Sequence, residues 1–584
     1  MSVAVEGEEH VLRLIRGFRS AIKSLGLSNV IESIILTRFG PLWAVIQRVK
    51  PLRAYANKTL IDRAICKIPP RPHALSTLAD YTSWSSLTDR TYSARHLPPA
   101  PKGGAALPAS REVAELFRRP AGAMKMGKSS VLFTYFAQWF TDGFLRTDYS
   151  NPLKNTSNHD IDLSNLYGLD AASTRALRSH SGGKLSSQWI NGEEYPPDFY
   201  KDGVEDPAFK DLRMAALLRA LTMMAGGPEA SPRPASTPVG GDHPGSRPAD
   251  ASSRATLFSG FRDVLARKPI DPRMFAMGGD RTNSQAGFTA LNVLFLREHN
   301  RVCDVLAAAY PAWDDERLFQ TARNILIGVL SKIVIGEYIN HITPYNFQFY
   351  LQPGAFEGCR WYRQNWMTVE FNLLYRWHGL TPDSYSIGGR DYSLKETLFN
   401  NEILVSRGLK PMLADASAQQ AGQIGLRNTP ELLLPVEQGS IELGRAARLR
   451  SYNDYRVMCR LPRARGFDQI SADPQTQQAL KDLYGTVDRV EYYPGIFAEN
   501  TVSGAVLSFV IGRLVGVDAF SQALTNPLLS GRLYNAETFT RKGVEIIEST
   551  STLADVLERN TLTSSDTRKI TMTFDSRASA PARA

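Results

Sequence analysis

The sequence predicts a mainly α-helical protein built around one large core. Three observations support this class: apolar residues recur at helical spacing over long stretches, patterns typical of β-strands are sparse, and no repeat of solenoid length occurs. The chain has 584 residues, of which 43% are hydrophobic and 10% aromatic. This is the composition of a globular protein, and it excludes disorder over most of the length.

The first 72 residues are predicted to form a helical lobe, because apolar residues alternate with basic ones at helical spacing from about residue 8. Two interpretations are open. The lobe either packs on the main body or lies in a membrane interface, where basic amphipathic helices with Trp and Leu fit well.

The beginning of the chain contains no strong targeting or spanning segment. Residues 1–30 lack an uninterrupted apolar stretch, so no signal peptide is expected. The most apolar stretch, residues 31–49, is a poor transmembrane helix because three polar residues interrupt it, namely Glu32, Arg38 and Gln47.

A main domain is predicted over residues 73–560, followed by a weakly ordered tail over 561–584. Residues 226–253 are rich in Pro, Gly and Ser and almost free of apolar side chains, so they are expected to form a mobile surface insertion. The strongest helical patterns cover 289–308, 315–340 and 366–378, with further ones near 475–488 and 500–515.

Charge and cysteine content exclude several classes. The net charge of +10 is mildly basic; it suits anionic lipid or acidic substrates and is too dilute to indicate a nucleic-acid partner. The four cysteines contain no CxxC pair, which argues against a disulfide framework and a Cys-ligated zinc site: Cys66, Cys303, Cys359 and Cys459.

The first candidate functional segment is VLFTYFAQWFTDGFLRTD, residues 131–148. It is predicted to be a helix that is apolar nearly all round and therefore buried. Gln138 and Asp142 are four residues apart and share one face. Burying a carboxylic acid is costly, so Asp142 is either a carboxylate held by hydrogen bonds or an acid–base group that faces a cavity.

The second segment is MTVEFNLLYRWHGLTPDSY, residues 367–385. A helix is predicted to end near Gly379, with Pro382 shortly after. Tyr375 and His378 are three residues apart, about one turn, at its C-terminal end. A histidine in an apolar helix is usually a satisfied core residue; the alternative is that it ligates a metal or a haem, since a peroxidase haem needs one proximal histidine.

Two other segments carry polar residues. LNVLFLREHNRVCDVL, residues 291–306, contains four in a row that predict a salt-bridged patch on a buried helix: Arg297, Glu298, His299 and Asn300. Arg281 is a lone arginine near glycines in MGGDRTNSQAGFTAL. The sequence contains no Walker loop, no Rossmann fingerprint in context, no HExxH and no GxSxG motif.

Together these segments resemble the animal haem peroxidase superfamily and, within it, most closely the cyclooxygenases (prostaglandin endoperoxide synthases). The resemblance runs from about residue 60 to about 535, and its specific parts are FAQWFTDGF (136–144), LREHNRVCDVL (296–306), EYINHITPY (337–345), EFNLLYRWHGLTPDSYSI (370–387) and VEYYPG (490–495). It implies a mainly α, cyclooxygenase-like catalytic domain over 73–560 with an N-terminal amphipathic helical lobe, of a bacterial type without the epidermal-growth-factor-like module.

The resemblance assigns roles residue by residue. His378 corresponds to the proximal haem ligand, and Tyr375 to the tyrosine whose radical abstracts hydrogen from a fatty acid. Gln138 corresponds to the distal glutamine, and Arg281 lies where myeloperoxidase-like relatives have a distal arginine. Tyr493 corresponds to a tyrosine on the proximal side of the haem. The remaining matches belong to the substrate channel: Tyr338, which supports the radical tyrosine, Tyr345 near the channel mouth, Phe371, Trp377, and Ser521, the position that aspirin acetylates in cyclooxygenases.

Several departures from the family pattern bear on function. Asp142 stands where the family has the histidine that moves a proton during peroxide cleavage, help that is typically worth about 10²–10⁴-fold. An aspartate can do this work if burial raises its pKa from about 3.9. Arg376 stands where cyclooxygenases have a second histidine. Arg63 is off by one position from the arginine that binds the substrate carboxylate, and the segment that carries an asparagine partner for the proximal histidine in myeloperoxidase-like relatives is missing.

The resemblance implies haem b as cofactor and fatty acid, O₂ and peroxide as substrates. We therefore predict a haem-dependent dioxygenase that oxidises an unsaturated fatty acid through a tyrosyl radical, with a coupled peroxidase site. Two alternatives stay open: a haem peroxidase that oxidises small donors, and a haem- or lipid-binding protein that has lost catalysis. We expect peripheral attachment to a membrane surface on the cytoplasmic side, and the resemblance also implies a homodimer.

Overall fold

The computed structural model describes residues 21–68, 76–103, 106–148, 150–212, 273–501, 504–561, 566 and 568–576. Three expectations lie outside these residues: the beginning of the helical pattern near residue 8, the insertion at 226–253, and most of the tail after 561.

Helices dominate the described residues, which confirms the predicted mainly α class. The α-helical segments are Leu27–Arg38, Gly40–Arg48, Lys50–Cys66, Trp84–Thr88, Ser110–Ala114, Val131–Thr141, Ser164–Tyr167, Ala171–Leu177, Ala286–Ala309, Asp315–Ile333, Asn340–Ile342, Val369–Leu374, Leu394–Thr397, Glu402–Arg407, Leu409–Ala418, Leu434–Ala446, Tyr452–Met458, Pro474–Tyr484, Tyr492–Ala498, Phe509–Leu524, Ala536–Ser549 and Leu553–Arg559. A π-helical turn, Val334–Ile339, joins the two segments of the long Asp315–Ile342 helix.

The strands are short and form four antiparallel pairs in the part of the chain that the structure describes. The pairs are Met126–Ser130 with Gln420–Gly422, Gln188–Ile190 with Glu193–Tyr195, Tyr200–Lys201 with Val204–Glu205, and Ser384–Ile387 with Arg390–Ser393.

The core is built around the Ala286–Ala309 helix, which is buried over most of its length. It packs against the Val131–Thr141 helix and the Asp315–Ile333 helix. Gly287 permits the first of these contacts, because a Cβ at this position would lie 2.1 Å from the ring of Tyr135. This close approach fixes the position of the Val131–Thr141 helix against the core. The same helix carries Gln138, which lines an interior cavity.

Three N-terminal helices form a lobe on this core. The Lys50–Cys66 helix packs against the Phe509–Leu524 helix, and the two preceding helices meet at an angle of 67°. The outer surface of the lobe is unusually apolar, since ten of its large hydrophobic side chains are more than a third exposed: Leu27, Ile31, Ile34, Ile35, Phe39, Leu42, Val45, Val49, Leu52 and Tyr55.

One continuous helix of the described residues, Asp315–Ile342, is long and apolar enough to cross a membrane, but 78% of its apolar window is buried inside the fold. The bent pair Leu27–Arg38 and Gly40–Arg48 is long and apolar enough to cross a membrane only when its two helices are counted as one span.

Two predicted helices differ from the structure. The pattern over 366–378 yields only Val369–Leu374, which Thr368 caps and which ends at Tyr375 (φ −85°, ψ 8°). His378 starts a separate 3₁₀ turn, His378–Leu380, so the one-turn relationship between Tyr375 and His378 was wrong. The helix predicted over 500–515 begins only at Phe509, and Thr501 and Ser508 form a β-bridge just before it.

Candidate active site

A large cavity, here called the central cavity, lies between the Val131–Thr141 helix and the segment 372–381 and contains about 1620 Å³ of empty space, part of which is open to solvent. Its lining includes all four predicted catalytic residues, Gln138, Asp142, Arg281 and Tyr375, and the predicted haem ligand His378. Arg376 and Trp377 line it as well. Its apolar lining includes Leu394, Leu398, Phe399, Leu433 and Val436.

His378 is backed by a buried carboxylate. Its Nδ1 lies 3.0 Å from Oε1 of Glu437, a residue of the Leu434–Ala446 helix that is 1% exposed. Thr429 donates to the same oxygen at 2.7 Å, and Tyr493 donates to Oε2 at 2.5 Å. Burial and the charge of Glu437 raise the pKa of Tyr493 well above its usual value, so Tyr493 remains a donor.

A carboxylate behind one ring nitrogen is the arrangement found at metal-ligating histidines, because it fixes the tautomer and makes the other nitrogen more basic. Since Nδ1 of His378 faces Glu437, Nε2 is the ring nitrogen available to a metal.

Hydrogen bonds from two other segments of the chain hold the turn that carries His378. Arg119 donates to the carbonyl oxygen of Thr381 at 2.7 Å, and Asn428 donates to that of Gly379 at 3.1 Å. A Cβ at Gly379 would lie 2.7 Å from the carbonyl oxygen of Gln423, so a larger residue does not fit here. These contacts hold the imidazole against the cavity without a regular helix.

Asp142 is part of a row of alternating charges beside the central cavity. Its Oδ1 lies 2.9 Å from Nη2 of Arg281, and Arg146 donates to its backbone oxygen at 3.2 Å and to Oδ1 of Asp280 at 2.6 Å. Burial raises the pKa of Asp142 above its usual value, while Arg281 opposes the rise. The carboxyl group therefore holds a proton more readily than an exposed aspartate does.

Tyr375 is enclosed by aromatic rings. Its ring stacks on Trp377 with centroids 4.5 Å apart and meets the edge of Phe371 at 4.9 Å. The hydroxyls of Tyr375 and Tyr338 interact, and burial raises the pKa of Tyr375 above its usual value. The site thus holds a protonated phenol, from which hydrogen-atom loss is favoured over loss of a proton alone.

Several buried polar atoms on the cavity wall have no hydrogen-bond partner among the described residues, among them Oδ2 of Asp142, Nε of Arg376 and Nε1 of Trp377. Buried polar groups are rarely left in this state, and such atoms mark the place of a ligand, ion or water. Together with the His378–Glu437 pair and the apolar lining, they fit a bound porphyrin. The described residues form no cluster of three His, Cys, Asp or Glu that would suit a bare metal ion.

A second cavity, here called the lobe cavity, lies where the Leu27–Arg38 and Lys50–Cys66 helices meet the Phe509–Leu524 helix. Tyr345, which the resemblance assigns to the channel mouth, lines this cavity. Arg63 does not line it; its side chain is 65% exposed. Ser521 is buried and lines neither cavity, although the neighbouring Phe520 lines the lobe cavity.

Sequence reasoning missed three charged residues. Glu437 was missed because it is far from His378 in the sequence, and the two residues come together only in the folded structure. Lys67 and Arg513 line the lobe cavity but were overlooked in favour of Arg63. An available signal was that Lys67 lies one helical turn beyond Arg63, which places it on the same face.

The chain is similar in sequence to animal haem peroxidases and to prostaglandin G/H synthases. A family model described as animal haem peroxidase matches residues 259–572. Prostaglandin G/H synthase 2 of Gallus gallus is 31% identical over 532 residues, which cover 88% of this chain and 78% of the relative. Prostaglandin G/H synthase 1 of Rattus norvegicus is 30% identical over 534 residues, with coverage of 87% and 79%.

Solved structures share the fold at lower identity. The fatty acid alpha-dioxygenase of Oryza sativa superimposes with a TM-score of 0.62 at 16% identity, covering 92% of this chain and 97% of the other. Peroxidase A of Dictyostelium discoideum superimposes with a TM-score of 0.60 at 19% identity, covering 84% and 98%.

Proposed function

The chain belongs to the animal haem peroxidase family and is a haem-dependent oxidoreductase; from this premise we propose that it is a dioxygenase that oxidises an unsaturated fatty acid through a radical on Tyr375. The observation that carries the proposal is that Tyr375 and His378 line one cavity, with the phenol enclosed by Trp377 and Phe371. Relatives named prostaglandin G/H synthases and structural neighbours named fatty acid alpha-dioxygenases, one of them solved with palmitic acid, support the substrate class.

The cofactor proposed is haem b, held through Nε2 of His378. When bound, it would supply the one-electron oxidising power that peroxide delivers. Glu437 orients the imidazole and increases its electron donation. The apolar lining of the central cavity excludes water from the reacting groups.

Tyr375 performs the hydrogen transfer in this proposal. Its phenol loses one electron and one proton to become a phenoxyl radical, which takes a hydrogen atom from a carbon of the fatty acid. O₂ adds to the carbon radical, and the peroxyl radical takes a hydrogen atom back from Tyr375, so the net reaction is RH + O₂ → ROOH. The enclosing aromatic rings restrict which substrate carbon reaches the hydroxyl.

Asp142 is proposed as the acid–base group for peroxide. Its Oδ2 has no hydrogen-bond partner and is placed to take the proton from one peroxide oxygen and return it to the departing one. Burial raises the pKa of Asp142, which favours the return of the proton, and Arg281 keeps the ionised form accessible. Gln138, on the same wall, is proposed to bind the peroxide.

The N-terminal lobe is proposed to contact a membrane surface. Its exposed apolar side chains, with Arg38 and Arg48 at the ends of their helices, form an amphipathic surface of the kind that lies in a lipid interface. Such contact would bring a lipid-borne fatty acid to the adjacent lobe cavity. A cytoplasmic-side location stays a prediction from the sequence, and a homodimer stays a prediction from the resemblance.

Oxygen uptake tests the proposal. Haem-loaded protein, started with a trace of peroxide, is expected to consume O₂ with oleate, linoleate or arachidonate and to form hydroperoxides identifiable by mass spectrometry. Tyr375→Phe is expected to abolish uptake while retaining the haem spectrum, and Tyr195→Phe, a buried tyrosine that lines neither cavity, serves as matched control. Full uptake by Tyr375→Phe would refute the radical role.

A peroxidase that oxidises small donors is the second candidate. The Asp142–Arg281 pair beside the central cavity supports it, since peroxide cleavage by this pair would not depend on a bound lipid. Donor oxidation with peroxide, without any lipid-dependent O₂ uptake, would decide for this function.

A further inference from the structure

A stack of two tyrosines forms part of the wall of the central cavity. The rings of Tyr135, on the Val131–Thr141 helix, and Tyr385, on the Ser384–Ile387 strand, lie 5.9 Å apart between centroids at an interplanar angle of 25°. Both side chains are almost fully buried, and both line the cavity. The proposed fatty acid reaction uses neither of them. The stack therefore places two additional oxidisable rings beside the proposed haem site.

Packing alone does not explain the hydroxyl groups of this pair. A phenylalanine fills nearly the same space, and burying a hydroxyl costs free energy that burying a phenyl ring does not. The hydroxyl of Tyr135 interacts with Gln285, another residue of the cavity wall, and Tyr385 lies in the field of the Arg119–Asp383 ion pair. Burial raises the pKa of both phenols, so both rings are protonated and neutral.

A β-hairpin connects the stack to the protein surface. Its strands, Ser384–Ile387 and Arg390–Ser393, pair with Tyr385 directly opposite Tyr392. Opposite residues of an antiparallel pair lie on the same face with Cβ atoms about 4.5–5.5 Å apart, so the two tyrosine side chains are neighbours. Tyr392 is only partly buried, and the guanidinium group of Arg390 lies 4.5 Å from the centroid of its ring. The hairpin thus extends the buried stack by one tyrosine that reaches solvent.

Contacts with the rest of the fold hold the hairpin in place. Gly388, in its turn, donates to Oδ2 of Asp415 at 2.8 Å, and Gln419 donates to the carbonyl oxygen of Ser384 at 2.9 Å. The second strand leads directly into Leu394, which lines the central cavity. Because rigid elements keep the groups of a site at fixed distances, the hairpin suits the transfer of an electron between its two tyrosines.

We propose that Tyr135, Tyr385 and Tyr392 form a tyrosine row that carries electrons from the protein surface to the haem cavity, and that Tyr392 is a second oxidation site for phenolic donors too large to enter that cavity. The inference rests on haem binding in the central cavity and on peroxide as oxidant. It goes beyond the proposed function, because it needs neither a fatty acid nor Tyr375.

The direction of transfer follows from exposure. Tyr135 and Tyr385 are buried and cannot release a proton to water, whereas Tyr392 can. Tyr392 therefore gives up an electron, which passes through the two buried rings, and releases its phenol proton to solvent. The phenoxyl radical takes a hydrogen atom from a donor ArOH, which restores Tyr392. Two such cycles supply the two electrons and two protons that reduce one peroxide: H₂O₂ + 2 ArOH → 2 H₂O + 2 ArO•.

Donor size tests the inference. Haem-loaded protein with peroxide is supplied either with free tyramine, which is small enough for the cavity, or with tyramine coupled to dextran, which presents the same phenol but cannot enter. Tyr392→Phe and Tyr385→Phe are each expected to lower kcat/KM for the conjugate by about tenfold or more and that for free tyramine by less than about twofold. Tyr200→Phe is the matched control, since Tyr200 is a partly exposed hairpin tyrosine that lines neither cavity.

The position of the radical is measured independently of turnover. With peroxide and a nitroso spin trap but no donor, peptide mass spectrometry is expected to find an adduct on Tyr392 in the parent protein and much less of it in Tyr385→Phe. Circular dichroism and the Soret band verify folding and haem content. Absence of the adduct from the parent protein, or an unchanged kcat/KM for the conjugate in haem-loaded Tyr392→Phe, overturns the inference. Tyr375→Phe should keep the adduct, so a failure of the proposed fatty acid reaction is distinguishable from a failure of the tyrosine row.

Discussion

Glu437 lies directly behind His378, with Oε1 3.0 Å from Nδ1 of the imidazole, although the two residues come from separate segments of the chain. Thr429 and Tyr493 complete the surroundings of this carboxylate. Since buried carboxylates need such partners, Glu437, Thr429 and Tyr493 act as one unit that holds a carboxylate oxygen 3.0 Å from the imidazole.

Replacement of Glu437 by Gln is expected to weaken haem binding by about 10- to 100-fold, because the amide no longer supplies a charged acceptor to Nδ1. The reduction potential of the bound iron is expected to rise, since a negative charge near the ligand is lost. Titration of the Soret band measures the first effect and spectroelectrochemistry the second. Glu442→Gln is the control, because Glu442 lies on the same helix but bonds Ser110; equal effects in both variants would contradict the assigned role.

Asp142→Asn is expected to slow peroxide-dependent oxidation of a small donor by about 10²–10⁴-fold, because the amide has nearly the same shape but cannot move the proton. Haem binding should be retained. Asp148→Asn, in the same segment but outside the lining of the central cavity, should behave as the parent protein. Stopped-flow measurement of peroxide cleavage provides the comparison, and an unimpaired Asp142→Asn would exclude Asp142 as the acid–base group.

The pH dependence of that reaction follows from the burial of Asp142. As pH falls through its pKa, Oδ2 is protonated and cannot accept the peroxide proton, so the rate falls. Because burial raises this pKa, the acid limb is expected above the value of about 3.9 that an exposed aspartate shows. Arg281→Met removes the cation that opposes the rise in the pKa of Asp142. The acid limb of the pH–rate profile should therefore move to still higher pH. Movement to lower pH would contradict the proposed interaction between Asp142 and Arg281.

The long helices were predictable because their periodicity is strong and their burial uniform. The pattern over 289–308 corresponds to Ala286–Ala309, and that over 315–340 to Asp315–Ile342. The segment after Leu374 was not predictable in the same way, since Arg119 and Asn428 determine its backbone from distant positions.

The site was predictable only as far as the resemblance extended. Asp142, Tyr375 and His378 were assigned from matched motifs, and the structure brings all three to one cavity. Glu437 and Arg513 had no local signal, because a charged residue on a helix is normally exposed. Their burial follows from tertiary packing, which a single sequence does not contain.

Tyr338→Phe is expected to reduce fatty-acid-dependent O₂ uptake up to about tenfold, the effect of losing the buried hydroxyl that interacts with the radical tyrosine. Peroxide-dependent oxidation of small donors should not change, because that reaction does not need Tyr375. A narrower or wider radical signal in electron paramagnetic resonance would report the altered environment of the phenoxyl group. Equal loss of both activities would point to a folding defect instead.

The lobe surface predicts binding to lipid vesicles that depends on a few apolar side chains. Ile31 and Leu42 are 46% and 52% exposed on neighbouring helices, and burying each in an interface contributes about 1.5–3 kcal/mol. The double variant Ile31→Glu/Leu42→Glu is therefore expected to lose at least about tenfold in co-sedimentation with anionic vesicles. Trp189→Gln, a 73% exposed residue on the Gln188–Ile190 strand, should bind like the parent protein. If the double variant still binds vesicles as the parent protein does, the proposed membrane contact of the lobe is wrong.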